Sequence, residues 1–370
     1  MPAAQTACLS TNGPNVCQCA GNPTRLLVAT TNGISVLERT TASGDWHVSG
    51  LSLPGKHISA LLIEPVNGGY FAGVHHGGLF YSPNEGESWE RRSNGLTIEH
   101  VYSLGSVAGR AGVTIYAGTE PVSLFRSRDY AKTWTELPAI GKVPGHEKWT
   151  FPPPPHIAHT KSFTFDPREP DVFYATIEQG ALLKTSDGGV SWRELGSFYR
   201  PDDVWYKDIH RLVFRPSNPD ELFMATGMGL YHSRDAGETW EQRTGLDFDI
   251  GYPDQLILDP HDDRIMLMSG ARHDPSTWRQ SHQAQGTVLR TRDGGHTWEP
   301  ANRGLPKDAR ANIEALNAVV YPGGYSLFAG NTDGEVFCSE NGGDSWTHIA
   351  GGLTPISKGG HFRNLQAATA

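Results

Sequence analysis

Short runs of alternating apolar and polar positions recur along the chain, and the same kind of turn follows each run. The runs include GLFYS, ALLKT, GLYHS and TVLRT, which are rich in residues that favour β-strands. The turn has the pattern Ser/Thr-x-Asp/Asn-x-x-x-Ser/Thr-Trp, in which x is any residue and the fifth position is usually Gly. Its copies span residues 82–89, 127–134, 185–192, 233–240, 291–298 and 339–346. An Asp or Asn that accepts backbone N–H groups, followed by a Gly with positive φ, predicts a hairpin turn.

A second pattern precedes each of these runs. An apolar strand ends at a Pro turn, as in HTKSFTFDP and YPDQLILDP, and a short strand such as DVFYATIEQG follows. Since the turns recur at intervals of 45 to 58 residues, the chain is built from repeated supersecondary units. Four strands per repeat, here A to D, predict the blades of a β-propeller.

The two ends of the chain decide the number of blades. Residues 25–51 match strands B, C and D of a blade that lacks strand A, and residues 359–368 match the strand that begins near residue 55. We therefore expect an all-β, seven-bladed propeller whose ring is closed by N-terminal strands plus a C-terminal strand. Residues 25–370 form the single propeller domain, and residues 1–24 are expected to be a flexible tail that contains Cys8, Cys17 and Cys19.

The repeated turns resemble the Asp-box, or BNR, motif of sialidases, sortilin-type receptors and photosystem II assembly factor propellers. The resemblance covers nearly the whole chain and implies the propeller fold. It does not imply one function, because Asp-box propellers do unrelated work. Sialidase activity fits poorly, because the channel positions hold histidines where that activity needs arginines.

Candidate chemistry lies on the face opposite these turns, where strand A of each blade begins. The residue eight places before the Pro of each strand A is predicted to lie at the channel mouth. Two repeats lack the Pro, and there the equivalent residue is the one that aligns with the other strands A. These residues are His57, His100, His159, His361, Asp208, Tyr252 and Glu314. Nearby positions and the B–C loops add Lys161, His210, Asp254, His75, His76, Glu120, Glu178 and His273.

The histidines predict a metal site. Imidazole binds Fe, Cu, Zn and Ni well, so His57, His100, His159 and His361 are the predicted ligands of one divalent transition metal. The set resembles, in ligand arrangement only, the iron site of the carotenoid cleavage oxygenases. The alternative is a ring of solvated or structural histidines without a metal.

Three insertions belong to the same face, at residues 141–159, 197–208 and 271–286. Their Trp149, Trp205 and Trp278, with the prolines at 152–155, are predicted to wall a pocket. The alternative is that these loops are long only because the core does not restrict loop length there.

Composition narrows the partners. A formal net charge of −9 disfavours nucleic acid and anionic membranes, and no apolar run is long enough to cross a bilayer. The first residues lack the features of a secretory signal, so a cytoplasmic protein is expected unless a leader was removed.

The sequence thus favours a metal-dependent enzyme, an oxidoreductase, hydrolase or lyase, that acts on a small or medium-sized polar substrate. Tyr252, Asp208, His210 and Glu314 are its predicted catalytic residues. One alternative is a non-catalytic scaffold with a protein partner. The other is a glycan-acting hydrolase or lyase without a metal.

Overall fold

The strands form seven sheets around a central channel, so the fold is a seven-bladed β-propeller. The structure is a computed structural model and describes residues 5–110, 112–153, 155–307 and 309–365. Within these residues, no helix is both long and apolar enough to cross a membrane.

The strands alternate with short loops from one end of the described chain to the other. In chain order they are β1 (Thr6–Leu9), β2 (Val16–Gln18), β3 (Arg25–Thr30), β4 (Gly33–Glu38), β5 (His47–Ser52), β6 (His57–Ile63), β7 (Tyr70–His75), β8 (Gly78–Ser82), β9 (Glu90–Arg91), β10 (Val101–Gly109), β11 (Gly112–Thr119), β12 (Leu124–Ser127), β13 (Thr135–Glu136), β14 (Thr160–Phe165), β15 (Phe173–Ile177), β16 (Ala181–Thr185), β17 (Arg193–Glu194), β18 (Ile209–Arg215), β19 (Asn218–Thr226), β20 (Gly229–Ser233), β21 (Glu241–Gln242), β22 (Tyr252–Leu258), β23 (Met266–Ala271), β24 (Thr287–Thr291), β25 (Glu299–Pro300), β26 (Ile313–Tyr321), β27 (Gly324–Asn331), β28 (Val336–Ser339) and β29 (Thr347–Ala350). The helical elements are α1 (Pro275–Ser281) and the 3₁₀ turns Pro138–Lys142, His146–Lys148 and His361–Leu365.

Each blade is a four-stranded sheet, and the last blade carries one extra strand. Blade 1 consists of β1, β3, β4 and β5. Blades 2 to 6 take β6–β9, β10–β13, β14–β17, β18–β21 and β22–β25 in order. Blade 7 consists of β26–β29, with β2 beside β26. Apolar clusters between neighbouring blades hold the ring together; one of them joins Leu267 of blade 6 to Leu327 and Trp346 of blade 7.

The six repeated turns, here called box turns, join the third and fourth strands of blades 2 to 7 and share one set of hydrogen bonds. Asp129 Oδ1 accepts from the backbone N–H of Thr133 at 2.9 Å, and Asp129 Oδ2 accepts from the Thr133 hydroxyl at 2.6 Å. Asn84 and Asn341 accept the equivalent backbone N–H groups at 3.0 Å. These are the turn contacts that the repeated pattern predicts.

The prediction of a flexible tail over residues 1–24 is wrong for the described residues 5–24; residues 1–4 lie outside the described chain. β1 is the innermost strand of blade 1 and pairs in parallel with β3, with Thr6 opposite Arg25. Leu9 packs against blade 7, while Cys8 packs against blade 2. The apolar run TACL is fully buried, which stabilises the segment as part of the core.

The predicted C-terminal closing strand is also wrong. β1 occupies the position where that strand would pair, so blade 1 offers it no free inner edge. His361–Leu365 forms a 3₁₀ turn instead, and residues 366–368 lie outside the described chain. Among the described residues, the N-terminal strands β1 and β2 close the ring.

Residues 10–15 cross the channel and close it. Buried Arg211 of blade 5 donates to the carbonyls of Thr11, at 2.8 Å, and Gly13, at 3.1 Å. The Thr11 hydroxyl donates to the carbonyl of Ser59 in blade 2, and the Asn15 amide donates to the carbonyl of Leu256 in blade 6. Because these contacts reach strands on opposite sides of the ring, the segment forms a floor below the channel mouth.

Candidate functional site

The predicted register of the inner strands is correct at the mouth for five of the seven positions. Glu314 lies two places further into the channel, because it occupies the bulge of its strand as Asp254 does. β6 begins at His57 and β22 at Tyr252, while His159 and Asp208 directly precede β14 and β18. His361 departs from the register because it lies on the C-terminal 3₁₀ turn. That turn packs over the mouth, where His361 stacks on Phe151 with ring centroids 5.8 Å apart.

Two pockets open at the mouth, one on each side of Phe151. The carboxylate pocket encloses about 260 Å³, and its walls include Phe151, Trp205, Tyr252, Glu178, Asp208, Arg279 and His361. The histidine pocket is lined by residues that include His57, His75, His76, Tyr102, Glu120 and Arg363. The prediction that loop residues wall a pocket holds for Trp205, whereas Trp278, a residue of α1, is fully buried.

Glu178 lies at the bottom of the carboxylate pocket among basic groups. Its Oε2 atom accepts from Lys161 Nζ at 2.8 Å and from His159 Nε2 at 2.7 Å, and Lys358 Nζ lies 3.4 Å from Oε1. Burial alone would raise the pKa of Glu178, but Lys161 and Lys358 outweigh it and hold the pKa well below its usual range. Glu178 is therefore a buried anion.

Asp208, His210 and Tyr252 lie beside Glu178. The Tyr252 hydroxyl donates to Asp208 Oδ2 at 3.4 Å, and His210 Nε2 lies 3.3 Å from Asp208 Oδ1. His210 Nδ1 is 2.6 Å from the carbonyl of Pro253 and donates to it, so the other ring nitrogen faces the carboxylates. Ligand atoms of Glu178, Asp208 and His210 all lie within 4.8 Å of one another.

Glu314 and Asp254 lie beside Lys358 in the channel mouth. Glu314 Oε2 accepts from the Ser357 hydroxyl at 2.9 Å and from the backbone N–H of Lys358 at 2.8 Å. Burial, with a further contribution from Asp254, raises the pKa of Glu314 to about 7. Asp254 accepts from the Lys358 ammonium, and although burial opposes it, that contact lowers the pKa of Asp254. The two carboxyl groups thus carry different charges near neutral pH.

The histidine pocket brings imidazoles together, but not the predicted four. The ring nitrogens of His75, His76 and His100 lie within 4.8 Å of one another. Glu120 Oε1 is 3.3 Å from His100 Nδ1, and Glu120 Oε2 is 3.3 Å from His159 Nδ1. Burial first, and then His57 and His100, lower the pKa of His75 to about 3.

Two of the four predicted ligands have other partners, and a third lies outside the histidine pocket. Both ring nitrogens of His159 face carboxylates, those of Glu120 and Glu178. His57 Nε2 donates to the carbonyl of Ser357 at 3.1 Å. His361 lies on the far side of the Phe151 ring, where burial and Lys358 lower its pKa to about 3. His273 is exposed and lines neither pocket.

Sequence reasoning missed two residues that shape the mouth. Lys358 follows the last blade in a segment without a repeat, so no periodic signal identifies it. Tyr102 stacks on His159 with centroids 3.7 Å apart. It occupies the same place in its strand as Lys161, His210 and Asp254, so the register argument that found those three could have found it.

Comparisons with known proteins point to propellers. No protein-family model matches the chain. It is 27% identical over 216 residues to a xyloglucanase of Paenibacillus sp, a match that covers 50% of this chain and 20% of the relative. It is 25% identical over 227 residues to a probable oligoxyloglucan-reducing end-specific xyloglucanase of Neosartorya fischeri, covering 55% and 25%. The chain therefore spans a quarter or less of the length of these curated relatives.

Solved structures resemble the chain in fold alone. An ancestral GH74 enzyme aligns with a TM-score of 0.60 at 17% identity, over 80% of this chain and 38% of that one. The GH74 xyloglucanase from Xanthomonas campestris gives 0.57 at 16%, over 79% and 45%. YCF48 bound to D1 peptide gives 0.54 at 14%, over 85% and 95%. The expected likeness to a propeller superfamily is confirmed at the level of the fold.

Proposed function

We propose that the carboxylate pocket hydrolyses a glycosidic bond of a polar glycan without a metal ion. The observation that carries this proposal is the pair of carboxylates at the pocket floor, Glu178 and Asp208, whose oxygens lie within 4.8 Å of each other. Most glycoside hydrolases act through two such groups on either side of the scissile bond. A close pair suits a retaining mechanism, in which one carboxylate attacks the sugar directly.

Glu178 suits the role of nucleophile. Its basic neighbours keep it ionised, and its Oε2 atom is fixed by Lys161 and His159. Among the described residues, Oε1 accepts no hydrogen bond, which leaves it available to attack the anomeric carbon. The bond that forms is a glycosyl ester, and the bond that breaks joins that carbon to the leaving oxygen.

Asp208 suits the role of acid and base. A Glu178 that stays anionic cannot supply the proton that the leaving oxygen needs, so the neighbouring carboxyl group must. Asp208 would then deprotonate the water that hydrolyses the ester, which returns the proton to Asp208. The Tyr252 hydroxyl, which donates to Asp208 Oδ2 at 3.4 Å, would hold the carboxylate in place.

The walls favour a sugar as the substrate. Phe151, Trp205 and Tyr252 present aromatic rings to the pocket, and such rings pack well against the apolar faces of sugars while carboxylates bind hydroxyls. The curated relatives are named xyloglucanases, which supports a plant β-glucan as the first substrate to test.

The test is the release of reducing ends from xyloglucan, its oligosaccharides and a panel of other glycans. We expect Glu178→Gln and Asp208→Asn each to lower kcat at least 100-fold, and activity to survive chelator treatment. Asp202→Asn removes the same charge from an exposed position on a neighbouring mouth loop and serves as the control. Binding of glycans without cleavage would show a binding module, and full activity in Asp208→Asn would overturn the assignment.

A further inference from the structure

We propose that His75, His76 and His100 bind a divalent transition-metal ion in the histidine pocket, at a site separate from the carboxylate pair. Ring nitrogens of all three lie within 4.8 Å of one another, a separation that ligands of one ion can adopt. Imidazole is a favoured ligand of zinc, copper and nickel. The ion is therefore of that chemical class.

Glu120 holds the imidazole of His100 in a ligating orientation. Its Oε1 atom lies 3.3 Å from His100 Nδ1, and a carboxylate at that position favours the tautomer with the proton on Nδ1. The other nitrogen, Nε2, then presents its lone pair. A carboxylate behind a histidine is the arrangement that orients imidazoles in metal sites and increases their basicity.

Two ring nitrogens of the cluster have no hydrogen-bond partner in the described chain. They are Nε2 of His75 and Nε2 of His100, and both atoms are buried. Buried polar atoms without partners are costly and rare. A metal ion bound to both would satisfy them at once.

The backbone at His76 supports the same site. His76 follows β7 with φ near 62°, in the left-handed region that a residue with a side chain seldom adopts. The turn places the His76 ring against that of His100, with centroids 3.1 Å apart. Strained conformations of this kind concentrate at functional sites.

Three imidazoles leave coordination positions open towards the histidine pocket. A zinc-like ion that takes four ligands would complete its shell with water or an anion. Arg363 lines the same pocket, and its positive charge favours an anionic fourth ligand.

The test is titration of the full, untagged and chelator-treated chain with Zn²⁺, followed by calorimetry and elemental analysis. We expect one ion per chain, and at least a 100-fold loss of affinity in His75→Ala and His100→Ala. His76 is exposed, so His76→Ala should fold normally and still weaken binding. Glu120→Gln should weaken binding 10- to 100-fold.

Two controls separate this site from others. His296→Ala removes an exposed histidine of a box turn on the opposite face and should leave the affinity unchanged. His361→Ala, on the other side of Phe151, tests the predicted set of four and should also bind normally. Equal binding by all variants, or no binding by the wild type, would overturn the site. Asp208→Asn should retain the metal, which keeps this test independent of the proposed hydrolysis.

Discussion

The two faces of the disc use carboxylates in opposite ways. On the box face, Asp129 is half-buried and accepts hydrogen bonds from Ser127 and Thr133 of its own turn. At the mouth, Glu178 and Glu314 are fully buried, and both have neighbours in the C-terminal segment: Lys358 lies near Glu178, and Ser357 donates to Glu314. The box face repeats one solution six times, whereas the mouth combines histidines from three blades with Asp208 and Tyr252 from two others.

The difference indicates which face maintains the fold and which one carries chemistry. In the part of the chain that the structure describes, Glu178 Oε1, His210 Nε2 and Glu314 Oε1 lack hydrogen-bond partners although they are buried. Leaving such groups unsatisfied lowers stability. A ring stabilised by its repeats can tolerate that cost at one end of its channel.

The largest expected effect on stability comes from one of two tryptophans, which lie on opposite faces. Trp346 follows a box turn, is only 4% exposed and donates from Nε1 to the carbonyl of Ala301 at 2.8 Å. Trp346→Ala should lower the free energy of unfolding by about 3–5 kcal/mol, because it opens a cavity between blades. Chemical denaturation measures the change.

Trp205, on a mouth loop, is the matched control. It is only partly buried and lines the carboxylate pocket, so Trp205→Ala should cost less than about 1 kcal/mol while weakening glycan binding. A larger loss of stability from Trp205→Ala than from Trp346→Ala would reverse the division of labour between the faces.

The N-terminal segment, which no repeat encodes, gives the next effect. Leu9 is fully buried against blade 7, and Leu9→Ala should destabilise by about 3 kcal/mol. Val16, on the neighbouring strand β2, is 43% exposed, and Val16→Ala should have little effect. Equal stability of Leu9→Ala and the wild type in urea would restore the view of this segment as a dispensable tail.

The repeats made most of the fold predictable from the sequence. Box turns and alternating strands repeat, so each copy supports the interpretation of the others, and the prediction of seven blades is confirmed. The N-terminal strand was missed because it runs parallel to its neighbour β3, whereas every repeat pairs antiparallel strands. A pattern learned from the repeats could not predict it.

The site was predictable only where the repeats position it. His210, Tyr252, Glu178 and Asp208 meet at one pocket because the inner strands converge on the channel. The histidines of the proposed metal site were not predictable. The choice depends on which side of Phe151 each imidazole lies and on what the other nitrogen of its ring contacts. Lys358 and His361 come from the non-repeating C-terminal segment, whose path the register argument assigned to a strand.

A smaller effect, dependent on pH, is expected from Glu314. Its pKa in the folded protein is about 7, above the ordinary value of 4.5. The folded protein thus holds a proton that the unfolded chain releases, so the stability linked to this proton is present below pH 4.5 and lost as pH rises towards 7. Glu314→Gln cannot ionise, and relative to wild type it should gain about 2 kcal/mol between pH 5 and pH 8.

Urea unfolding of both proteins at the two pH values measures this gain. Glu169→Gln, at an exposed position, should show no such dependence on pH. If the unfolding free energies of Glu314→Gln and wild type differed by the same amount at both pH values, Glu314 would already be ionised at pH 5. The channel mouth would then not lose stability through this group as pH rises.

The smallest effect concerns a single box turn and uses the natural variation among the six. In two copies an Asn replaces the Asp, and there the side-chain amides of Asn84 and Asn341 donate to Ser88 and Ser345 at 3.0 and 2.9 Å. Asp129→Asn should therefore change the free energy of unfolding by less than about 0.5 kcal/mol, whereas Asp129→Ala, which leaves the turn without its acceptor, should cost about 1 kcal/mol. Thermal and urea unfolding of the two variants would measure the difference. If Asp129→Asn proved as costly as Asp129→Ala, the negative charge of Asp129 rather than its hydrogen bonds would stabilise the turn. Both faces of the propeller would then depend on ionic interactions.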